Sequence, residues 1–246
     1  MPVTPTMPND TNHLGQPVGA QLPGWTPPPR PPRETLAGRS CRLEPIDPAR
    51  HGASLHAANG ADAEGRNWTY LPYGPFDSLP AYLEWLERSC LGSDPQFYAI
   101  VGADGVPRGV ASYLRIDPGN GSIEVGHINF SPSLRRTPAA TESMFLMMRH
   151  AFELGYRRYE WKCNALNAPS RQAAQRLGFS FEGLFRQAAV VRGRNRDTAW
   201  YAVIDREWPA LREAFLRWLD PANFDAQGRQ RTSLSALTAP VLARRG

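Results

Sequence analysis

Glu124-Val-Gly-His-Ile-Asn-Phe-Ser-Pro-Ser-Leu-Arg-Arg-Thr-Pro-Ala-Ala-Thr-Glu142 changes character midway. Its first third has the apolar content of a strand, and Pro132 and Ser133 end that strand. Arg135 and Arg136 form a basic turn, and Thr137-Pro138 opens a helix with a cap residue followed by proline. Backbone N–H groups at a helix start lack intrahelical partners, and the helix dipole adds partial positive charge there. Such a junction suits a pyrophosphate, with the arginines adding charge and Ala139 and Ala140 letting phosphates approach the backbone. A structural turn carrying two solvated arginines would present the same residues.

Three strand signals precede or make up the start of this stretch: Phe97 to Val101, Gly109 to Ile116 and Ser122 to Phe130, joined by Gly-Ala-Asp-Gly and Asp-Pro-Gly-Asn-Gly turns. They predict an antiparallel meander. Upstream, Ser40 to Glu44 reads as a strand, Ala49 to Asn59 as a helix, and Ser78 caps a helix running to about Leu91. Trp68 to Phe76 between these helices has no regular period and reads as an aromatic loop.

Downstream, Ala139 to Gly155 reads as an amphipathic helix, with Met144, Met147, Met148 and Ala151 inward and Glu142, Arg149 and Glu153 on the polar face. Arg158 to Asn164 is a strand. Pro169 to Leu177 is a helix closed by Gly178. Strands around Phe181–Val191 and Thr198–Ile204 and a helix from Trp208 to Leu219 follow. The order β-α-α-β-β-β-α-β-α-β-β-α predicts one α+β domain over residues 34–220. Residues 1–33 are rich in proline and read as an arm, extended or disordered; residues 221–246 read as a loosely packed tail.

Lys162 is the only lysine, so the formal charge of +5 is arginine-borne. That excess suits an anionic ligand and falls short of the clustered basic face of a nucleic-acid binder. Cys41, Cys90 and Cys163 form no CxxC pair and fit a reducing compartment. No secretory leader and no run approaching the ~20 apolar residues of a membrane span is evident. A cytoplasmic protein with no membrane partner is the expectation. The histidines lack ligand spacing, so no metal is expected.

Arg135-Arg-Thr-Pro-Ala-Ala140 resembles the acetyl-CoA pyrophosphate signature of GNAT acetyltransferases, Q/R-x-x-G-x-G/A, with Thr141-Glu142 continuing it. Pro138 stands where that signature has its central glycine, and proline brings no N–H. Asn167-Ala-Pro-Ser-Arg-Gln-Ala-Ala-Gln-Arg-Leu-Gly-Phe179 resembles the segment after the fifth strand in the same family. The closing strands, from Glu182 and from Asn195 to Trp208, resemble the branch of ribosomal-protein-alanine N-acetyltransferases. The likeness spans roughly Ser40 to Leu219.

The resemblance implies a three-layer α/β/α fold whose mixed, mostly antiparallel sheet splays at the cofactor. It also implies acetyl-CoA as acyl donor and transfer to a primary amine by direct attack. Cofactor contacts then fall on Ile128, Phe130, Arg135, Arg136, Thr137, Ala139, Ala140, Asn167, Ser170 and Arg171. Asn167 and Ser170 equally suit helix capping. Glu124 is the first candidate base, through a water, and His127 the second. Each also fits a structural role, Glu124 as an ion-paired strand glutamate. Asp197 is a third option, and Cys163 reads as buried and inert. Trp68, Tyr70, Tyr73 and Phe76 are candidates for the acceptor wall, or else core cover. A non-catalytic acyl-CoA sensor with the same fold is the competing reading, motivated by Pro138. Dimerisation is common in that fold, so a homodimer stays open.

Overall fold

The computed structural model describes residues 9–246; the first eight residues of the proline-rich arm lie outside the described residues. A short hairpin of β1 (Asp10–Thr11) and β2 (Pro17–Val18) comes first, and β3 (Leu36–Ala37) joins β4 (Cys41–Pro45) at one edge of the main sheet. Neither the hairpin nor β3 was expected from sequence; strands of two residues carry no readable period. The chain between them lies on the domain. Pro28 and Pro31 are buried, and the Pro32 carbonyl accepts from Gln96 Nε2 at 3.2 Å and Tyr98 Oη at 3.3 Å.

Helices α1 (Pro48–Gly60) and α2 (Leu79–Ser89) follow, then the meander β5 (Gln96–Gly102), β6 (Pro107–Asp117) and β7 (Ser122–Phe130). Asp47 and Ser78 cap the two helices through their side chains, each followed by proline in the first turn. After β7 come α3 (Pro138–Glu153), β8 (Arg158–Asn164), α4 (Ala168–Arg176), β9 (Ser180–Val191), β10 (Arg194–Ile204) and α5 (Trp208–Leu219). The main sheet has the order β3-β4-β5-β6-β7-β8-β10-β9, and β7–β8 is the parallel pair in it.

Strand alternation sends side chains to two different cores. Phe97, Ala99 and Val101 meet Leu55 of α1 and Tyr82 and Leu86 of α2 on one face. Tyr98 and Ile100 meet Met144, Met147 and Met148 of α3 and Phe215 of α5 on the other. In β8, Tyr159, Trp161 and Cys163 enter this second core, while Arg158, Glu160, Lys162 and Asn164 stay half-buried on the opposite face.

Two expectations are corrected. Glu142 is not on a polar face: it is buried, and its carboxylate accepts from the backbone N–H groups of Arg39, Ser40 and Cys41. The C-terminal segment does not pack loosely. Helix α6 (Leu234–Thr238) buries Leu234 completely, Trp218 Nε1 donates to Gln230 Oε1 at 2.7 Å, and Phe181 N–H donates to the Arg244 carbonyl. With one buried leucine in a mostly polar stretch, the tail lacked the pattern that announces a core.

Candidate active site

β7 and β8 pair in register from Ser122–Arg158 to Val125–Trp161 and no further. Beyond Val125, β7 continues to Phe130 without a ladder partner on its β8 side. Two clefts open on either side of this fork, and Trp161 lines both. The parting is helped by a bulge. Val110 pairs with Asn129 but Ser112 with Gly126, so β7 carries one extra residue there. His127, in the bulge, has a left-handed φ of 52°.

The larger cleft, about 600 Å³, runs past the start of α3. Arg135, Arg136, Thr137, Pro138 and Ala140 form one wall, Pro169, Ala173 and Arg176 of α4 another, and Trp218 and Phe224 a third. The Thr137 hydroxyl caps α3, accepting from Ala140 N–H at 3.2 Å. Pro138 occupies the first turn, where its missing N–H removes no intrahelical bond. Arg135 is turned toward the fork: Nε donates to the Phe130 carbonyl at 3.1 Å, and a terminal nitrogen bonds Asn67 Oδ1. Arg136 has a left-handed φ of 60°.

The smaller cleft, about 230 Å³, lies across the fork. Glu124, His127, Ile128, Lys162, Cys163, Asn167, Ser170 and Tyr70 all line it. Glu124 is buried, with Lys162 Nζ 2.9 Å and Arg115 Nη1 2.8 Å from its Oε2. Burial pushes its carboxyl above the ordinary value, while Lys162 and Arg115 pull it back in part. Burial, with the cations of Arg115 and Arg196 nearby, holds the His127 imidazole down at about 4. Its Nδ1 lies 3.0 Å from Tyr73 Oη. Cys163 is pushed up by burial, which disfavours the thiolate.

Asn167 caps α4 through its Oδ1, accepting from Ser170 N–H at 3.2 Å. Ser170 Oγ accepts from Trp161 Nε1 at 3.0 Å. Arg171 points away, to Tyr201 Oη at 3.2 Å and the Ala165 carbonyl at 3.3 Å.

The profile of the acetyltransferase (GNAT) domain family matches residues 41–180. This chain belongs to the GNAT acetyltransferase family. It is 46% identical to a GCN5-related N-acetyltransferase from Brucella melitensis, over 89% of this chain and 100% of that one, with a TM-score of 0.86. It is 32% identical over 101 residues to the ribosomal-protein-serine acetyltransferase of Escherichia coli K12. That match covers 40% of this chain and spans 56% of the relative's length.

Within this GNAT fold the structure brings Glu124, His127, Asn167 and Ser170 to one cleft, and Arg135, Arg136, Thr137 and Ala140 to the other. Of the four acceptor-wall aromatics, Tyr70 alone lines the cleft that holds Glu124; its hydroxyl donates to the Leu166 carbonyl at 3.2 Å. Trp68 is buried and packs edge-on against Phe76 at 5.5 Å, and Tyr73 stacks on His127 from behind. Asp197 is spent on the Gln187 N–H and the Asn195 amide.

Sequence reading missed Asn67, Arg115, Lys162 and Arg196 in the smaller cleft, and Arg176 in the larger one. Arg176 and Arg196 lie inside the segments that carry the family resemblance, at positions to which that resemblance assigns no role, and Arg115 sits in a strand with no motif around it. Lys162, as the one lysine among so many arginines, was the available signal.

Proposed function

We propose that this chain transfers an acetyl group from acetyl-CoA to a primary amine by direct attack. The fork between β7 and β8, with the α3 start on one side and a polar cleft holding Glu124 on the other, carries the reading. The larger cleft fits the donor chemically. It offers Arg135, Arg136 and Arg176 for phosphates, the capped α3 N-terminus, and apolar Met144, Trp218 and Phe224 for the rest. Asn167, Ile128 and Phe130 stand where the arm of the donor would pass to the fork.

The chain's own groups supply the remaining chemistry. Glu124, its carboxyl raised by burial, takes the proton of the attacking amine through a water. His127, held at about 4, is the weaker base at neutral pH. Unpaired N–H groups of β7 beyond Val125 face the fork and hold the carbonyl oxygen as charge develops. Ser170 Oγ accepts the Trp161 indole N–H, which leaves its hydroxyl as a hydrogen-bond donor toward the departing sulfur in place of its contact with Cys163. The named activity of the curated relative makes a protein α-amine one acceptor of this kind.

Thiol release from acetyl-CoA, followed with peptides bearing free α-amines, tests the reading. Amine-dependent release that falls at least ~10²-fold in Glu124→Gln supports it. Release that needs no amine, or is unchanged by that substitution, removes Glu124 from the chemistry.

A further inference from the structure

Every charged side chain of the acceptor cleft but one is ion-paired. Arg115, Glu124, Lys162, Glu160, Arg158 and Glu182 form an unbroken ladder across four strands. Arg115 meets Glu124 at 2.8 Å, Lys162 meets Glu124 at 2.9 Å and Glu160 at 2.7 Å, and Arg158 meets Glu160 at 2.6 Å and Glu182 at 2.5 Å. Three cations and three carboxylates leave this ladder neutral.

Arg196 lines the same cleft and stands outside the ladder. No carboxylate among the described residues lies within ion-pair distance of it, and its Nε is buried without a hydrogen-bond partner. It lies two residues before β10 begins pairing with β8 at Thr198–Asn164, so it reaches the cleft from the open end of that ladder. Arg196 is half-buried, and a buried Nε–H with nothing to donate to is costly unless a ligand completes it. A planar fork of N–H groups matches a carboxylate. The positive charge it leaves in the cleft also opposes entry of a polyamine.

We infer that Arg196 receives a carboxylate of the acceptor, making the substrate an amine that itself carries an acidic group. The inference rests on the acetyl-transfer reading for the word acceptor, and on Arg196 alone for the anion site. Two sources share this chemistry: the α-carboxylate or side chain of a free acidic amino acid, and an acidic side chain near a peptide N-terminus.

The test compares acid and amide isosteres in both settings. Free aspartate is set against asparagine, and the peptide Ala-Asp-Ala-Ala amide against Ala-Asn-Ala-Ala amide. Thiol release gives kcat/KM for wild type, Arg196→Gln and Arg196→Lys. The expected result is a preference of at least tenfold for the acid in one pair, which names the source. That preference collapses toward one in Arg196→Gln and is partly kept in Arg196→Lys. No preference in either pair, or a preference that survives Arg196→Gln, overturns the inference. Tryptophan fluorescence titrated with aspartate reads the anion site without turnover, since Trp161 borders it and Trp200 lies beside Lys162. Aspartate binding lost in Arg196→Gln, with no thiol release from any amine, keeps the anion site and removes the transferase reading. Absence of both binding and preference removes the anion site.

Discussion

Glu124 and Glu160 stand directly opposite each other in adjacent parallel strands, and one ammonium, Lys162 Nζ, bridges them at 2.9 and 2.7 Å. Two carboxylates in register would repel. The lysine turns that repulsion into two ion pairs, and its Nζ also lies 4.0 Å from the Trp200 ring centroid. Lys162→Met leaves the carboxylates facing each other with only Arg115 and Arg158 to compensate. Loss of one partner from a buried pair costs about 3 kcal/mol, read by urea unfolding at neutral pH. The pH dependence follows from sign. Without the lysine at least one folded-state carboxyl is raised above its unfolded value, so stability is present at low pH and lost as pH rises. The deficit against wild type therefore shrinks on acidification toward pH 4.

His127 predicts the opposite pH behaviour. Its folded-state value, about 4, lies below the ordinary 6.5. The neutral ring therefore contributes stability that is complete above pH 6.5 and lost as pH falls toward 4. Up to ~3 kcal/mol is at stake. Thermal midpoints across that range fall more steeply for wild type than for His127→Asn, which keeps the left-handed backbone affordable.

Glu142 ties the start of α3 to the turn before β4 by accepting three backbone N–H groups. Glu142→Ala strands those donors and costs about 3 kcal/mol. Glu142→Gln retains part of the acceptor and costs less. Chemical denaturation of the two variants orders them.

Removal of residues 231–246 uncovers Leu211, Trp218 and the groove beside them, where Leu234 packs at 0% exposure. The truncated chain has a lower melting temperature and weaker acetyl-CoA affinity, since Trp218, Phe224 and Gln230 border the larger cleft. A tail that merely trailed would change neither.

Most of this architecture was legible because long periodic elements announce themselves. β7 at 122–130, β8 at 158–164 and α5 at 208–219 have the bounds that alternation and helical spacing indicate. The fork depends on where a parallel ladder stops, at Val125 and Trp161, and no residue marks that position locally. The same holds for the site. Asn167 and the Arg135–Ala140 turn have assigned places in a motif, whereas Arg196 and Arg176 lie in resembling segments without one and acquire a role from the strands and helices brought together in space. Trp68 and Phe76 show the converse: an aromatic loop without period reads equally as a pocket or as a core, and here Trp68 is buried in the core, Phe76 packs half-buried against it, and both line a cavity apart from the one holding Glu124.

The larger cleft as the acetyl-CoA site is the central claim, and calorimetric titration of acetyl-CoA into wild type and into the double variant Arg136→Ala, Arg176→Ala tests it most directly. Both arginines line the cleft, and neither forms an ion pair with a carboxylate among the described residues. Binding by wild type that weakens at least tenfold in the double variant, ~1.4 kcal/mol, is the predicted result. Absence of binding to wild type, or equal affinity in both proteins, would contradict it.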